Sequence, residues 1–131
     1  MTIKKRSKKQ KRQVDSVIAH VKSTFNNTIV SITTLDGDVL LSSSAGKLGF
    51  TGARKGTPFA ASQVAAELVK SMPPLGIKKM EINLQGPGNG RDSVVRAFHQ
   101  AAPSVGFDIS LLRDVTPLPH NGCRAPKKRR V

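Results

Sequence analysis

The chain has 131 residues, with 22 Lys and Arg against 8 Asp and Glu, and a formal net charge of +14. This length suits one compact domain, and such a charge is typical of a protein that binds a polyanion. One Cys and three scattered His exclude an internal disulfide and argue against a four-ligand zinc site. Apolar runs fall well short of a membrane-spanning helix.

Most of the positive charge lies at the two ends of the chain. Residues 1–13 are predicted to form a basic N-terminal arm, residues 14–115 a globular domain, and residues 116–131 an extended basic tail. Both ends lack acids, so we expect them to be disordered alone and ordered by a polyanion, which releases its counterions. Their cations are Lys4, Lys5, Arg6, Lys8, Lys9, Lys11 and Arg12 in the arm, and Arg124, Lys127, Lys128, Arg129 and Arg130 in the tail.

Two other roles for the charged ends have to be weighed against nucleic-acid binding. A purely solubilising role needs no partner at all. Binding to a membrane surface requires an apolar face interleaved with the charge, which neither end has. Cationic blocks at both ends therefore favour nucleic acid.

The first half of the body predicts three antiparallel strands. Residues 16–24 alternate apolar and polar side chains, and residues 27–34 and 38–43 are rich in β-branched or aliphatic ones. Asp36-Gly37 between the last two is a hairpin signal. These three predicted strands form an antiparallel meander at the start of the domain.

The second half predicts two helices, each after a glycine-rich loop. Residues 44–56 predict a loop, and Thr57-Pro58 is typical of the start of a helix. The following elements are a strand at 78–84, a loop at 86–91 and a helix capped by Asp92 or Ser93. Pro103 is expected to end or kink this helix and Gly106 to close it, and a strand follows at 107–112. The order βββαβαβ predicts an α/β domain with a mixed sheet and helices packed on it.

The two glycine loops are candidate phosphate-binding sites. Each precedes a helix N-terminus, whose free N–H groups attract anions, and the cations there are Lys47, Arg54, Lys55 and Arg91. Neither loop is a Walker A motif or a dinucleotide fingerprint, so we expect no nucleotide cofactor. The alternatives are a mobile surface loop for the first and a purely structural turn for the second.

The tail offers a third candidate site. His120 and Asn121 supply hydrogen-bonding edges and Arg124 a planar fork. Asn121-Gly122 predicts a bend, and its unhindered N–H makes isoaspartate formation at Asn121 a hypothesis. PKKRRV at 126–131 also looks like a nuclear-import signal, although such basic hexamers are common in RNA-binding proteins.

Catalysis has little basis in this sequence. The eight acids are dispersed rather than clustered for metal binding, so we expect no catalytic residues and no metal. The five Phe lack the clustered pattern of a base-stacking strand. We expect most of them in or near the core, and recognition by shape and backbone more than by stacking.

Four motifs resemble those of the bacterial-type small-subunit ribosomal protein 11 family: FNNTIVSIT at 25–33, GARKGTPFAA at 52–61, GPGNGR at 86–91 and DVTPLPHNGCRAPKKRRV at 114–131. The resemblance implies a mixed five-stranded, ribonuclease-H-like domain without catalysis. It implies a structural constituent of the small subunit, bound to 16S-type rRNA on the platform near the messenger RNA exit path. Ribosomal proteins 7 and 18 are the expected neighbours, with messenger RNA nearby, in a bacterial, plastid or mitochondrial ribosome.

The resemblance also implies specific RNA contacts. Carried over by motif, they are Asn26, Asn27, Thr28, Lys47, Arg54, Lys55, Asn89, Arg91 and the segment from His120 to Arg130. Two other functions stay open: an RNA-processing enzyme on the same fold, using Asp36 or Asp92, and a DNA-binding protein. No membrane, cofactor or small-molecule substrate is expected.

Overall fold

The computed structural model describes residues 14–130. The predicted contacts of the N-terminal arm, from Lys4 to Arg12, lie outside the described residues. Five strands and two helices follow one another in the predicted order. They are β1 (Ser16–Ser23), β2 (Thr28–Thr33), β3 (Val39–Ser44), α1 (Pro58–Ser71), β4 (Lys79–Gln85), α2 (Gly90–Val105) and β5 (Asp108–Asp114), with short 3-10 helices at Gly52–Gly56 and Pro73–Leu75.

The strands form one mixed sheet in the order β3-β2-β1-β4-β5. The meander β1-β2-β3 is antiparallel, whereas β4 is parallel to both β1 and β5. The hairpin at Asp36-Gly37 closes as expected: the N–H of Gly37, at a φ of 103°, donates to the carbonyl of Thr34 over 3.1 Å. The predicted α/β class with a mixed five-stranded sheet is confirmed.

Both helices pack on the same face of the sheet. Val17, Ala19 and Val21 of β1 are buried beneath them, while His20 and Lys22 on the other face of β1 are exposed. Helix α1 contacts β2 and β3, helix α2 contacts β1, β4 and β5, and the helices contact each other. The core is therefore aliphatic, as the composition predicts.

The start of α1 is confirmed and the start of α2 is corrected. The Thr57 hydroxyl accepts the N–H of Ala60 over 3.2 Å, with Pro58 in the first turn. Helix α2 begins at Gly90, two residues before the predicted cap at Asp92, and has no side-chain cap. The reason is tertiary: a Cβ at Gly90 would lie 2.7 Å from that of Ala61 in α1, so glycine permits an earlier start against α1.

Pro103 neither ends α2 nor prevents its last turn. The helix continues to Val105, and Gly106, at a φ of 90°, donates its N–H to the carbonyl of Ala102 over 2.8 Å. The left-handed glycine therefore ends the helix, not the proline. Only two residues of α2, Ser104 and Val105, follow Pro103.

Candidate nucleic-acid interface

The predicted contact segments of the body meet at one end of the sheet. The parallel strands β1, β4 and β5 all end there, and both α1 and α2 begin there. In open α/β sheets, ligands bind at the carboxyl ends of the parallel strands. We call this the loop end; it comprises the β1–β2 turn (24–27), the loop 45–57, the loop 86–89 and the two residues that follow β5, 115–116.

The β1–β2 turn is built around Thr24. Its hydroxyl oxygen accepts the N–H groups of Asn26 over 3.3 Å and Asn27 over 3.1 Å, and it donates to the Asn27 carbonyl over 3.2 Å. The Asn27 Oδ1 accepts the N–H of Thr28 over 2.9 Å. Asn27 is thus half-buried and holds the turn, whereas Asn26 is exposed.

Thr28 does not present its side chain to a partner. Its side chain is fully buried, and its hydroxyl lies 3.5 Å from that of Ser23. A buried hydroxyl cannot reach RNA, so the predicted contact at Thr28 is corrected to a structural role under the turn.

Some glycines of the loops 45–57 and 86–89 allow close packing against the β1–β2 turn, whereas others leave the backbone open to solvent. A Cβ at Gly56 would collide with the Phe25 carbonyl oxygen, and one at Gly86 with the Ser23 carbonyl oxygen. The N–H of Gly88 donates to the same Ser23 carbonyl over 3.0 Å. By contrast, a Cβ at Gly49 would meet nothing within 4 Å. Open backbone for a phosphate is therefore confined to the middle of the first loop.

The three cations of the loop 45–57 differ in how far they are exposed to solvent. Lys47 and Arg54 are exposed, and the Lys47 Nζ donates to the Ser42 carbonyl over 3.1 Å. Lys55 is half-buried, because its stem passes beside Gly46, where a Cβ would lie 3.8 Å from the Lys55 Cδ. These cations flank the exposed glycines.

The charges of the body are unevenly distributed between the two ends of the sheet. The end of the sheet opposite the loop end holds the starts of β1 and β5 and the β2–β3 hairpin. Half of the eight acids are at or next to these elements: Asp15, Asp36, Asp38 and Asp108. Lys78 and Lys79 lie at the same end, at the start of β4, where the Lys78 N–H donates to the Asp15 carbonyl over 2.8 Å. The loop end holds Lys47, Arg54, Lys55 and Arg91, and its two acids are Asp114, which is paired, and Asp92, in the first turn of α2.

Arg91 links the second glycine loop to the end of β5. Its guanidinium donates to the Gly86 carbonyl over 3.0 Å and to Asp114 Oδ2 over 2.8 Å. Thr116 donates its hydroxyl to Asp114 Oδ1 over 2.6 Å and accepts the N–H of Gly86 over 3.2 Å. Arg91 therefore orients the tail where it leaves the body, a role that the sequence analysis did not anticipate.

The link has a measurable signature at Asp114. Hydrogen bonds from Thr116 and then from Arg91 hold the pKa of this carboxyl well below its usual range. A lowered pKa contributes stability above the ordinary carboxyl pKa of about 3.9, and that contribution is lost as the pH falls. NMR titration of Asp114 should show this shift, and Asp114→Asn should accelerate amide exchange at Gly86. Unchanged exchange would contradict the link.

The remaining predicted contacts are all exposed. Asn89 precedes α2, and residues 117–130 are exposed and form no helix or strand. Asn121 adopts a φ of 69° and Gly122 one of 33°, so the predicted bend is present. Isoaspartate formation at Asn121 stays a prediction.

Phe25 was missed by the sequence analysis. It lies in the β1–β2 turn with 72% of its surface exposed, and Phe59 at the start of α1 is 64% exposed. Phe98 and Phe107 are buried and Phe50 is half-buried, as expected for most of the five. The signal for Phe25 was its place in a polar turn rather than in a strand.

Other kinds of site find little basis in the described residues. Between residues 14 and 130, no three His, Cys, Asp or Glu side chains gather where they could hold a metal ion. Over the same residues, no helix is long and apolar enough to cross a membrane.

Comparison with known proteins agrees with the motifs. The family model described as "Ribosomal protein S11" matches residues 17–130. A curated relative from Thermosynechococcus vestitus, "Small ribosomal subunit protein uS11", is 53% identical over 124 residues, which cover 95% of this chain and 92% of the relative. With its loops, tail and sequence in agreement, the chain belongs to the ribosomal protein S11 family, whose members are structural rather than enzymatic proteins of the small ribosomal subunit.

Proposed function

We propose that this protein binds 16S-type rRNA in the platform of the small subunit, near the messenger RNA exit path, and that it supports subunit assembly there. The loop end docks on folded RNA, and the two basic ends of the chain extend between RNA helices and neutralise phosphates. Ribosomal proteins 7 and 18 are its proposed neighbours, in the ribosome of a bacterium or an organelle.

One observation carries this proposal: the loop end holds four cations, Lys47, Arg54, Lys55 and Arg91, against two acids, whereas the opposite end holds four acids beside Lys78 and Lys79. A body with net charge close to neutral would gain little from a polyanion if its charges were mixed. An uneven distribution orients it, because phosphate attracts the end with the excess of cations more strongly than the other end. The tail leaves β5 at the loop end, so its five cations add to the same side.

The side chains proposed to contact RNA are those that reach the surface of the body and the tail. Asn26, Lys47, Arg54 and Asn89 are exposed and reach RNA directly, and Lys55 does so with its terminal ammonium. The tail contributes His120, Asn121, Arg124, Lys127, Lys128, Arg129 and Arg130. Arg91 acts through the position of the tail, and Asn27 through the shape of the turn.

Binding should depend steeply on salt. If about eight phosphates are neutralised, log affinity for a central-domain fragment of 16S-type rRNA should fall against log salt with a slope of about −6 to −7. Filter binding at several salt concentrations measures this slope. Duplex DNA of the same length is the control, because equal affinity would favour a DNA-binding protein.

Membership of the particle is tested separately. The full chain, added to subunits assembled without it, should cosediment with small subunits after a salt wash that removes loosely bound protein. Recovery only in the soluble fraction, with salt-independent binding to the rRNA fragment, would contradict the proposed function.

A further inference from the structure

Phe25 is an exposed aromatic side chain in the β1–β2 turn of the loop end. The chain has five Phe and no Trp or Tyr, and Phe25, with 72% of its surface exposed, is the most exposed of the five. Burial of such a side chain normally stabilises the folded protein. A single exposed apolar side chain is ordinary on a protein surface, so it is the fixed turn and the charges around Phe25 that point to a partner.

The turn holds Phe25 in a defined orientation. The Thr24 hydroxyl accepts two N–H groups on the C-terminal side of Phe25, and Gly56 packs against the Phe25 carbonyl. The Thr24 N–H donates to the Asn27 carbonyl over 2.8 Å and closes the turn. A backbone fixed in this way loses little entropy when the ring meets a partner, which favours binding.

The surroundings of the ring select the chemistry of the partner. Asn26 next to it is an exposed amide, Lys55 precedes the glycine that packs on it, and neither the turn nor the loop 45–57 contains an acid. A partner with negative charge beside a flat apolar surface matches this combination. Single-stranded nucleic acid has both, because every base offers a stacking face beside a phosphate.

We infer that Phe25 stacks on an unpaired base of the bound RNA. The inference rests on the proposed rRNA binding and adds base contact to what would otherwise be backbone and shape recognition. It differs from the expectation from sequence, in which stacking had little part. The ring supplies a sequence-tolerant contact, since all four bases have a stacking face.

A single tryptophan tests the inference directly. Because the chain has no Trp or Tyr, Phe25→Trp introduces the only strong fluorophore. Stacking on a base should quench its emission when the central-domain rRNA fragment is added. Phe59→Trp is the matched control: Phe59 is similarly exposed, but its ring lies edge-on to Phe50, with centroids 6.1 Å apart, on a groove whose lining includes both Glu67 and Lys70.

Affinity supplies the second measurement. Phe25→Leu keeps an apolar side chain but removes the ring, and it should weaken binding about tenfold, whereas Phe25→Trp should stay within about twofold of the parent protein. The salt slope of Phe25→Leu should be unchanged, because stacking releases no counterions. Thermal unfolding should also be unchanged, since the side chain is exposed.

The outcomes separate this inference from the proposed function. If the parent protein binds with a steep salt slope but Phe25→Trp is not quenched, or is quenched no more than Phe59→Trp, stacking is wrong and rRNA binding stands. If Phe25→Leu binds rRNA normally yet enters subunits poorly, the ring contacts a neighbouring protein and the inference is overturned. If the parent protein itself lacks salt-dependent binding, the proposed function fails first.

Discussion

Removing residues 124–131 should weaken binding to the central-domain rRNA fragment about a thousandfold at 0.1 M salt. The segment carries five cations, and each neutralised phosphate contributes about 0.7 to 0.9 to the salt slope. The slope should therefore become shallower by about four, and the loss of affinity should be smaller at higher salt. Filter binding between about 0.05 and 0.3 M salt measures both quantities.

The same truncation should leave the folded body unchanged. Residues 117–130 are exposed, and within the described chain Thr116 is the last residue hydrogen-bonded to the body, through Gly86. The free energy of unfolding in urea should therefore change by less than about 0.5 kcal/mol. A full-length variant with Gln at the five cationic positions is the matched control, and it should lose affinity to a similar extent. A truncation that lowers stability as much as affinity would contradict the separation of body and tail.

Gly86→Ala should destabilise the body by about 3 kcal/mol or more. Gly86 adopts a φ of 98°, which costs a residue with a Cβ about 1 to 2 kcal/mol. The added Cβ would also collide with the carbonyl oxygen of Ser23. That oxygen belongs to the backbone of β1 and cannot rotate away, so the second glycine loop would have to move. Urea unfolding measures the loss.

Gly106→Ala is the matched control for this substitution. Its φ of 90° is nearly the same, but a Cβ there would meet no atom within 4 Å. Only the backbone cost of about 1 to 2 kcal/mol should remain. Equal losses at Gly86 and Gly106 would show that the collision with Ser23 is relieved by a small movement, and that the loop end is less tightly packed than the structure indicates.

Much of the fold follows from local patterns in the sequence. Alternation predicts β1, with Val17, Ala19 and Val21 on the buried face, and Asp36-Gly37 predicts the hairpin. Thr57-Pro58 predicts the start of α1. These patterns succeed because a turn, a helix cap or an alternating strand depends on residues within a few positions of one another. The start of α2 fails this rule, since contact with α1 sets it.

A polyanion as the partner also follows from the composition of the tail and of the two glycine loops. Charge can be read from the residue types alone, because it does not depend on the fold. Tertiary structure decided which of those side chains face outward. It buried Thr28, committed Arg91 to Asp114 and exposed Phe25. It also placed an excess of cations at one end of a body whose overall charge is close to neutral, and four acids beside two lysines at the other. Each of these outcomes depends on contacts between residues far apart in the chain, and no local pattern contains that information.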